Sequence, residues 1–456
     1  MKRIILYIAL IISLTGLFSV YSFGQKSQGI SFDKNYPFVQ NGINGIVSFP
    51  QDDGYIMAMA ARHYDVFYLT LIRTNLYGDT LWVKYMDIGM ETNVPEVKYG
   101  VSDPDGNIYI TVTHADYSLL KIDPDGNFLW GRGIQNINMP PVFANGSLWL
   151  CIKISSNCYM VKLNPVDGEN EEMNLLFSNP DWWPSSLSVN DNGDVVIAVL
   201  DEFPFMLHYV TNMIFSKPAD STTFSYTILD LQNNFIYLDK MKNSGSDLLG
   251  IAHFPVAYSY SFDENFIVRF TASGMVLLDQ ELSFSADSSF VIDFVINSEE
   301  QALLLCWVND NSSRRYELLC MDTTGTIAWS KTLPDHVYQS INNCNDGGYI
   351  ITGEDSSAND YPFLLKTDSQ GIVSVDHTRP PLAAINTFPV PATKSVTFDV
   401  PGMQHSLLTI CDVYGKPVTY VEIRNGQGQL NTLSLKPGVY FCTSDAGVSC
   451  KIIITK

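Results

Sequence analysis

A short phrase, an acidic or amide residue, a glycine and then an apolar run, returns along most of this chain about every 40–55 residues. It reads Asp52-Asp53-Gly54-Tyr55-Ile56-Met57, then Pro104-Asp105-Gly106-Asn107-Ile108-Tyr109 and Ala144-Asn145-Gly146-Ser147-Leu148-Trp149. It returns as Asp191-Asn192-Gly193-Asp194-Val195-Val196 and Asn345-Asp346-Gly347-Gly348-Tyr349-Ile350, with weaker copies at 243–249 and 297–304. A second phrase alternates with it: an apolar run, a turn with glycine, then a second run. Leu71 to Gly78 leads on to Leu81-Trp82, Leu120 to Asn127 to Leu129-Trp130, and Leu319 to Gly325 to Ala328-Trp329. Partial copies lie at 161–168, 268–274 and 365–371.

Asp-Gly and Asn-Gly accept the positive φ that joins twisted strands through a tight turn. The runs that follow are rich in Val, Ile, Tyr and Leu, which suits buried strands. Almost no segment shows a helical period, so the chain reads as all-β. A period of this length fits four strands per unit, as in propeller blades. Seven units are countable, at about 45–86, 97–134, 142–175, 186–229, 237–282, 290–333 and 337–376. The expected architecture is a seven-bladed β-propeller over residues 25–378; six or eight blades stay open because units four and five are irregular. The phrase Asp-x-x-Gly-x-x-x-Trp, with Gly78, Gly126 and Gly325 each four residues before a Trp, resembles the blades of quinoprotein-like bacterial propellers. Asp346 to Ile351 resembles blades of secreted propellers. That likeness implies a fold and no chemistry.

The repeats stop after Asp376. His377-Thr378-Arg379-Pro380-Pro381 reads as a stiff stretch, with the linker set at 379–387, before a short β unit at 388–456. Its landmarks are Pro389 and Pro391, Tyr414-Gly415-Lys416, Pro437-Gly438-Val439-Tyr440, and Lys451 to Lys456. In order and spacing they resemble the type A C-terminal sorting domain of the type IX secretion system; Val390 stands where that family usually has Asn. The resemblance implies a small immunoglobulin-like β-sandwich, contact with the type IX secretion machinery, passage across the outer membrane, and removal of the tail. At the other end Lys2 and Arg3 precede an uncharged, mostly apolar run at 4–20, and Ser22 and Gly24 flank a cleavage before Gln25. Residues 1–24 therefore read as a signal peptide, leaving no transmembrane segment in the mature chain. The expected destination is the cell surface or medium, by way of the periplasm.

The formal charge is −21. From 388 onward six Lys and Arg stand against four Asp and Glu, so the acidity belongs to the body. Such a surface speaks against nucleic acid, whose phosphates call for clustered cations. The eight cysteines suit an oxidising compartment, and hairpin-like spacing marks three pairs for disulfides: Cys442 with Cys450, Cys306 with Cys320, and Cys151 with Cys158. Catalytic signatures are missing: the seven histidines are scattered, and there is no Gly-x-Ser-x-Gly elbow and no phosphate loop. The acidic turns at 103–107, 123–127 and 190–194 look like fragments of calcium loops but lack the closing Glu. They read as plain turns, with calcium the alternative and no other cofactor implied. Trp82, Trp130 and Trp329 recur in phase, as blade packing would require, with sugar-stacking platforms the alternative. Trp182 and Trp183 break the phase and are the candidate ligand-binding residues. The reading is a non-catalytic binding module for an extracellular glycan or protein; the alternative is a polysaccharide hydrolase or lyase with carboxylates at the propeller mouth.

Overall fold

The computed structural model describes residues 31–36, 43–63, 66–88, 94–134, 136–137, 139–202, 210–231, 237–253, 265–282, 288–310, 313–355, 361–373, 385–399, 405–413, 416–424, 426–444 and 449–455. The expected signal peptide at 1–24, most of the expected linker, Tyr414, Gly415 and Lys456 lie outside them. Regular structure among the described residues is strand. Seven four-stranded antiparallel sheets form the blades of a β-propeller, and a seven-stranded sheet follows. Six blades run in simple chain order at 43–86, 96–132, 142–178, 182–228, 237–282 and 288–332. These lie within a few residues of the units counted in the sequence. The seventh differs. Residues 336–367 supply three strands, and the outer one is Phe32–Asn35, paired antiparallel with Pro362–Thr367. The unit counted at 337–376 thus supplies three of its four strands. A strand from the other end of the sequence covers an edge that would otherwise be open.

The repeated phrases are loops that cap themselves. Asp103 Oδ1 accepts the N–H of Asp105 and Asn107 at 3.0 and 2.9 Å, and Gly106 takes a φ of +79°. Asp322 does the same for Thr324 and Thr326, with Gly325 at +84°. These are Asx-turns with the fourth residue left-handed, which is why an Asx three residues before a glycine recurs. The remaining oxygen of Asp103 accepts Asn107 Nδ2 at 2.8 Å and Tyr109 Oη at 3.0 Å. Among the described residues no group of three or more His, Cys, Asp or Glu is placed to hold a metal ion.

In blades 4 and 6 strand alternation sends the two faces to two different neighbours. In the second strand of blade 4, Val195, Ile197 and Val199 pack against blade 3, while Val196 and Ala198 pack against blade 5. In blade 6, Leu304, Cys306 and Val308 face blade 5, and Leu303 and Leu305 face blade 7. A sheet buried on both sides reads as a continuous apolar run. Bulges in the innermost strands aim polar groups across the same joints. Ser186 Oγ accepts Met241 N–H at 3.0 Å, and Asp293 Oδ2 accepts Ile341 N–H at 3.1 Å. Two of the phased tryptophans are wedges: Trp82 lies against Gly126 of blade 2 and Trp329 against Gly371 of blade 7.

No two of the eight cysteines lie at disulfide distance, so none of the three expected disulfides is seen. The hairpin after Cys306 turns earlier than symmetric spacing assumed, so Cys306 pairs with Glu317 and Cys320 with Leu303. That shift of three residues puts the two thiols on opposite faces. Cys151 and Cys158 share a face but are diagonal neighbours, with sulfurs 3.3 Å apart. Cys442 does face Cys450 across the strand pair, as free thiols.

In the C-terminal sheet, strands 386–399 and 427–431 join strands 405–424 and 438–454 through one residue pair, Arg424 and Gln427. Both parts share one core, with Val396 and Phe398 from the first and Ile410, Cys442 and Ile452 from the second. The opening segment clips to the last strand: Ala392 N–H donates to Ile453 O at 2.7 Å and Thr455 N–H to Ala392 O at 2.8 Å.

At the upper corner of blade 7 the His336 ring stacks on Phe363 at 4.3 Å, and its Nε2 lies 3.1 Å from Asp33 Oδ2. Its Nδ1 is 3.6 Å from Asp355 Oδ1, and Asn35 Nδ2 donates to Asp355 Oδ2 at 2.6 Å. Burial alone lowers the His336 pKa; the hydrogen bond and charge of Asp33, then Asp355, outweigh it and raise it above 6.5. A raised folded pKa stabilises fully below the unfolded value and is lost as pH rises through the folded one. His336→Gln should cost about 1.5–3 kcal/mol at pH 6 and progressively less above neutrality, read from urea unfolding across pH. A cost that does not fall with pH contradicts the assignment. Gly126→Ala should cost about 2–4 kcal/mol, because a Cβ there meets the Trp82 ring at 2.4 Å with φ at +76°. Gly146→Ala, at +71° with open space around it, should cost about 1–2 kcal/mol. Equal costs would remove the wedge.

Candidate binding site

On the turn side of blades 6 and 7 a cleft of about 780 Å³ lies between two five-residue loops, 297–301 and 344–348. Trp329 and Lys331 from the outer strand of blade 6 and Gln370 from the last loop of blade 7 complete it. Asn297 organises one wall. Its Oδ1 accepts the N–H of Glu299 and Gln301, both at 2.9 Å, and its Nδ2 donates to Gln301 Oε1 at 3.0 Å and Tyr349 Oη at 3.3 Å. Asn343 Nδ2 donates to Ile296 O at 2.7 Å and ties the walls together. Asp346 sits between Lys366 Nζ, 2.9 Å from Oδ2, and Gly348 N–H, 3.0 Å from Oδ1. Burial pushes the Cys344 thiol up to about 12, against the pull of Lys366. That thiol stays protonated at neutral pH and is no nucleophile.

Lys366 belongs to a pattern that the sequence reading missed. Third strands carry a cation near the turn side: Arg73, Lys121, Lys162, Lys217, Arg269 and Lys366. Each has an acidic partner, in turn Asp53, Asp103 at 3.8 Å, Glu171 at 2.9 Å, Glu172 at 2.8 Å, Asp247 at 3.1 Å and Asp346. The hydrogen bond from Lys217 holds the Glu172 carboxyl below its ordinary range. The available signal was a charge recurring inside apolar runs, as in Leu120-Lys121-Ile122 and Val268-Arg269-Phe270.

The two candidate tryptophans part company. They alternate on the strand Trp182–Val189, so they point to opposite faces. Trp182 packs into an aromatic cluster with Phe177 at 5.4 Å, Phe215 at 6.2 Å and Tyr226 at 6.5 Å. Trp183 is 44% exposed, and its ring centroid lies 3.5 Å from Lys153 Nζ. That buried ammonium also donates to Pro180 O and Trp182 O, each at 2.7 Å. Trp183 is the lid of a buried cation, and only it offers a ring face to solvent.

In the tail, Pro389 and Pro391 follow cis peptide bonds and open the segment clipped to the last strand. Pro437 and Gly438 lead into the strand Gly438–Ser444, where Tyr440 Oη donates to Lys436 O at 2.9 Å. Lys416 N–H closes an Asx-turn on Asp412 at 3.0 Å, and Lys451 is exposed. No helix among the described residues is long and apolar enough to cross a membrane.

Residues 386–455 match the family of secretion system C-terminal sorting domains. No curated protein matches the chain. Solved structures of similar fold include BamB from Moraxella catarrhalis, with 12% identity over 74% of this chain and 96% of that one at a TM-score of 0.39. YCF48 bound to D1 peptide has 11% identity over 76% and 99%, at 0.46. The quinohemoprotein alcohol dehydrogenase ADHIIG from Pseudomonas putida HK5 has 10% over 82% and 72%, at 0.43. The likeness is one of fold and lends this chain no activity.

Asp346→Ala should cost about 2 kcal/mol in urea unfolding because it strands Lys366, which is fully buried. Adding Lys366→Met should recover most of the loss; an additive double variant would contradict the pairing. The tail is a secretion-system sorting domain behind a seven-bladed propeller, and it marks the chain for export to the cell surface or the medium.

Proposed function

We propose that the protein is a non-catalytic binding module of the cell surface or medium, in which the propeller recognises an extracellular glycan or protein. The leader at 1–24 takes the chain to the periplasm, and the tail engages the type IX machinery. The observation that carries the reading is the chemistry of the blade 6–7 cleft. Amides, hydroxyls, an ammonium and an indole line it, a set suited to holding a polar ligand. A hydrolase would need a carboxyl pair with one member free to give up a proton. Asp346 is instead tied to Lys366. Incubating the mature full chain with extracellular polysaccharides and surface-protein extracts should give retention on one of them and no release of reducing ends. Release of reducing ends above the buffer rate would overturn this reading in favour of an enzyme.

A further inference from the structure

Blade 6 departs from the other blades at the third-strand position beneath the turns. In blade 2, Lys121 stands opposite Tyr109 on one side and Trp130 on the other. Its ammonium lies 5.2 Å from the Tyr109 ring centroid, and that ring lies 5.9 Å from Trp130. The inner side of the indole is therefore covered. In blade 6 the same register puts Leu303 and Cys320 beside Trp329. Leu303 matches the aliphatic residue that most blades carry there (Ile56, Val195, Leu249 and Ile350), and the third-strand cation is replaced by a thiol. Blade 6 also closes its first loop with Glu300, at φ +59°, where blades 2, 4 and 7 use glycine. The thiol stands just behind the cleft wall, with Cys320 Sγ 3.5 Å from Oε1 of the lining residue Gln301.

We propose that this cleft is a saccharide subsite in which a sugar ring lies on Trp329 and its hydroxyls bond to the polar rim. The proposal rests on the reading of the propeller as a binding module and names its ligand class and place. Trp329 Nε1, the Gln370 amide, the Lys331 ammonium and the Ser298 hydroxyl have no partner among the described residues. They mix donors and acceptors, as does a hydroxyl-rich ligand, whose C–H face suits the electron-rich face of an indole. A peptide strand fits less well, because it needs free main-chain groups to pair with. Here the N–H groups of Glu299 and Gln301 are spent on Asn297, that of Gly347 on Cys344 O and that of Gly348 on Asp346. An anion fits less well too, since Lys331 is accompanied by Glu299 and Asp346. The loop over the mouth leaves room, with nothing within 4 Å of where a Cβ on Gly347 would stand.

The test is calorimetric titration of the full mature chain with four soluble tetrasaccharides: cellotetraose, xylotetraose, chitotetraose and maltotetraose. At least one should bind. Trp329→Ala should weaken that binding at least tenfold, and Val166→Ala, on an exposed turn of blade 3, should leave it unchanged. Cys320→Lys restores the side chain of the other blades and should weaken it to the same degree. If that variant fails to fold, Ser298→Tyr narrows the mouth from an exposed loop position and should do the same. Binding that survives both Trp329→Ala and Ser298→Tyr overturns the subsite and leaves the binding-module reading standing. No binding of any of the four overturns the subsite as well. The broader reading falls only if the chain also captures neither polysaccharide nor surface protein.

Discussion

Every blade here is apolar on both faces, and that single constraint governs the rest of the structure. A four-stranded sheet with Val195, Ile197 and Val199 on one side and Val196 and Ala198 on the other cannot leave either side in water. Each buried side chain of this size contributes about 1.5–3 kcal/mol, so a blade without neighbours would forfeit more than a domain's net stability. Stacking blade on blade satisfies both faces at once. The polar pins from Ser186 and Asp293 then fix the order in which inner strands meet, since each leaves a backbone N–H unpaired if its neighbour slips.

Function has to be placed where this packing leaves freedom. The sheet faces are committed to the joints. The loops have their own N–H groups capped by Asx side chains, and the third-strand cations fill the space beneath most of them. The cleft lies at a blade that departs from the pattern, as blade 6 does at Cys320 and Glu300. The same logic demotes Trp182, whose ring completes an aromatic cluster in the joint between blades 3 and 4.

Much of the fold was legible because its signals are local. Asx-x-x-Gly marks the turns, apolar runs mark the strands, and the spacing of the two phrases gave seven units whose bounds the blades follow closely. The tail was legible for the same reason: Pro389, Pro391, Pro437-Gly438 and Lys451 occur in a fixed order. What stayed hidden depends on distant partners. Phe32–Asn35 carries no repeat phrase, and its place in blade 7 is set by an edge more than three hundred residues away. The disulfide expectation failed at Cys306 and Cys320 because register depends on where a hairpin turns, and spacing alone does not say. The cleft was invisible because a missing side chain leaves no motif; Cys320 signals something only beside Arg73, Lys121 and Lys366.

The export of a propeller by its own C-terminal module is the claim on which the functional account stands. It is tested most directly by fractionating producing cells that express either the full chain or a chain ending at Val373. The account predicts the full chain at the cell surface or in the medium and the shortened one retained in the periplasm. A shortened chain that reaches the surface as efficiently as the full one would contradict it.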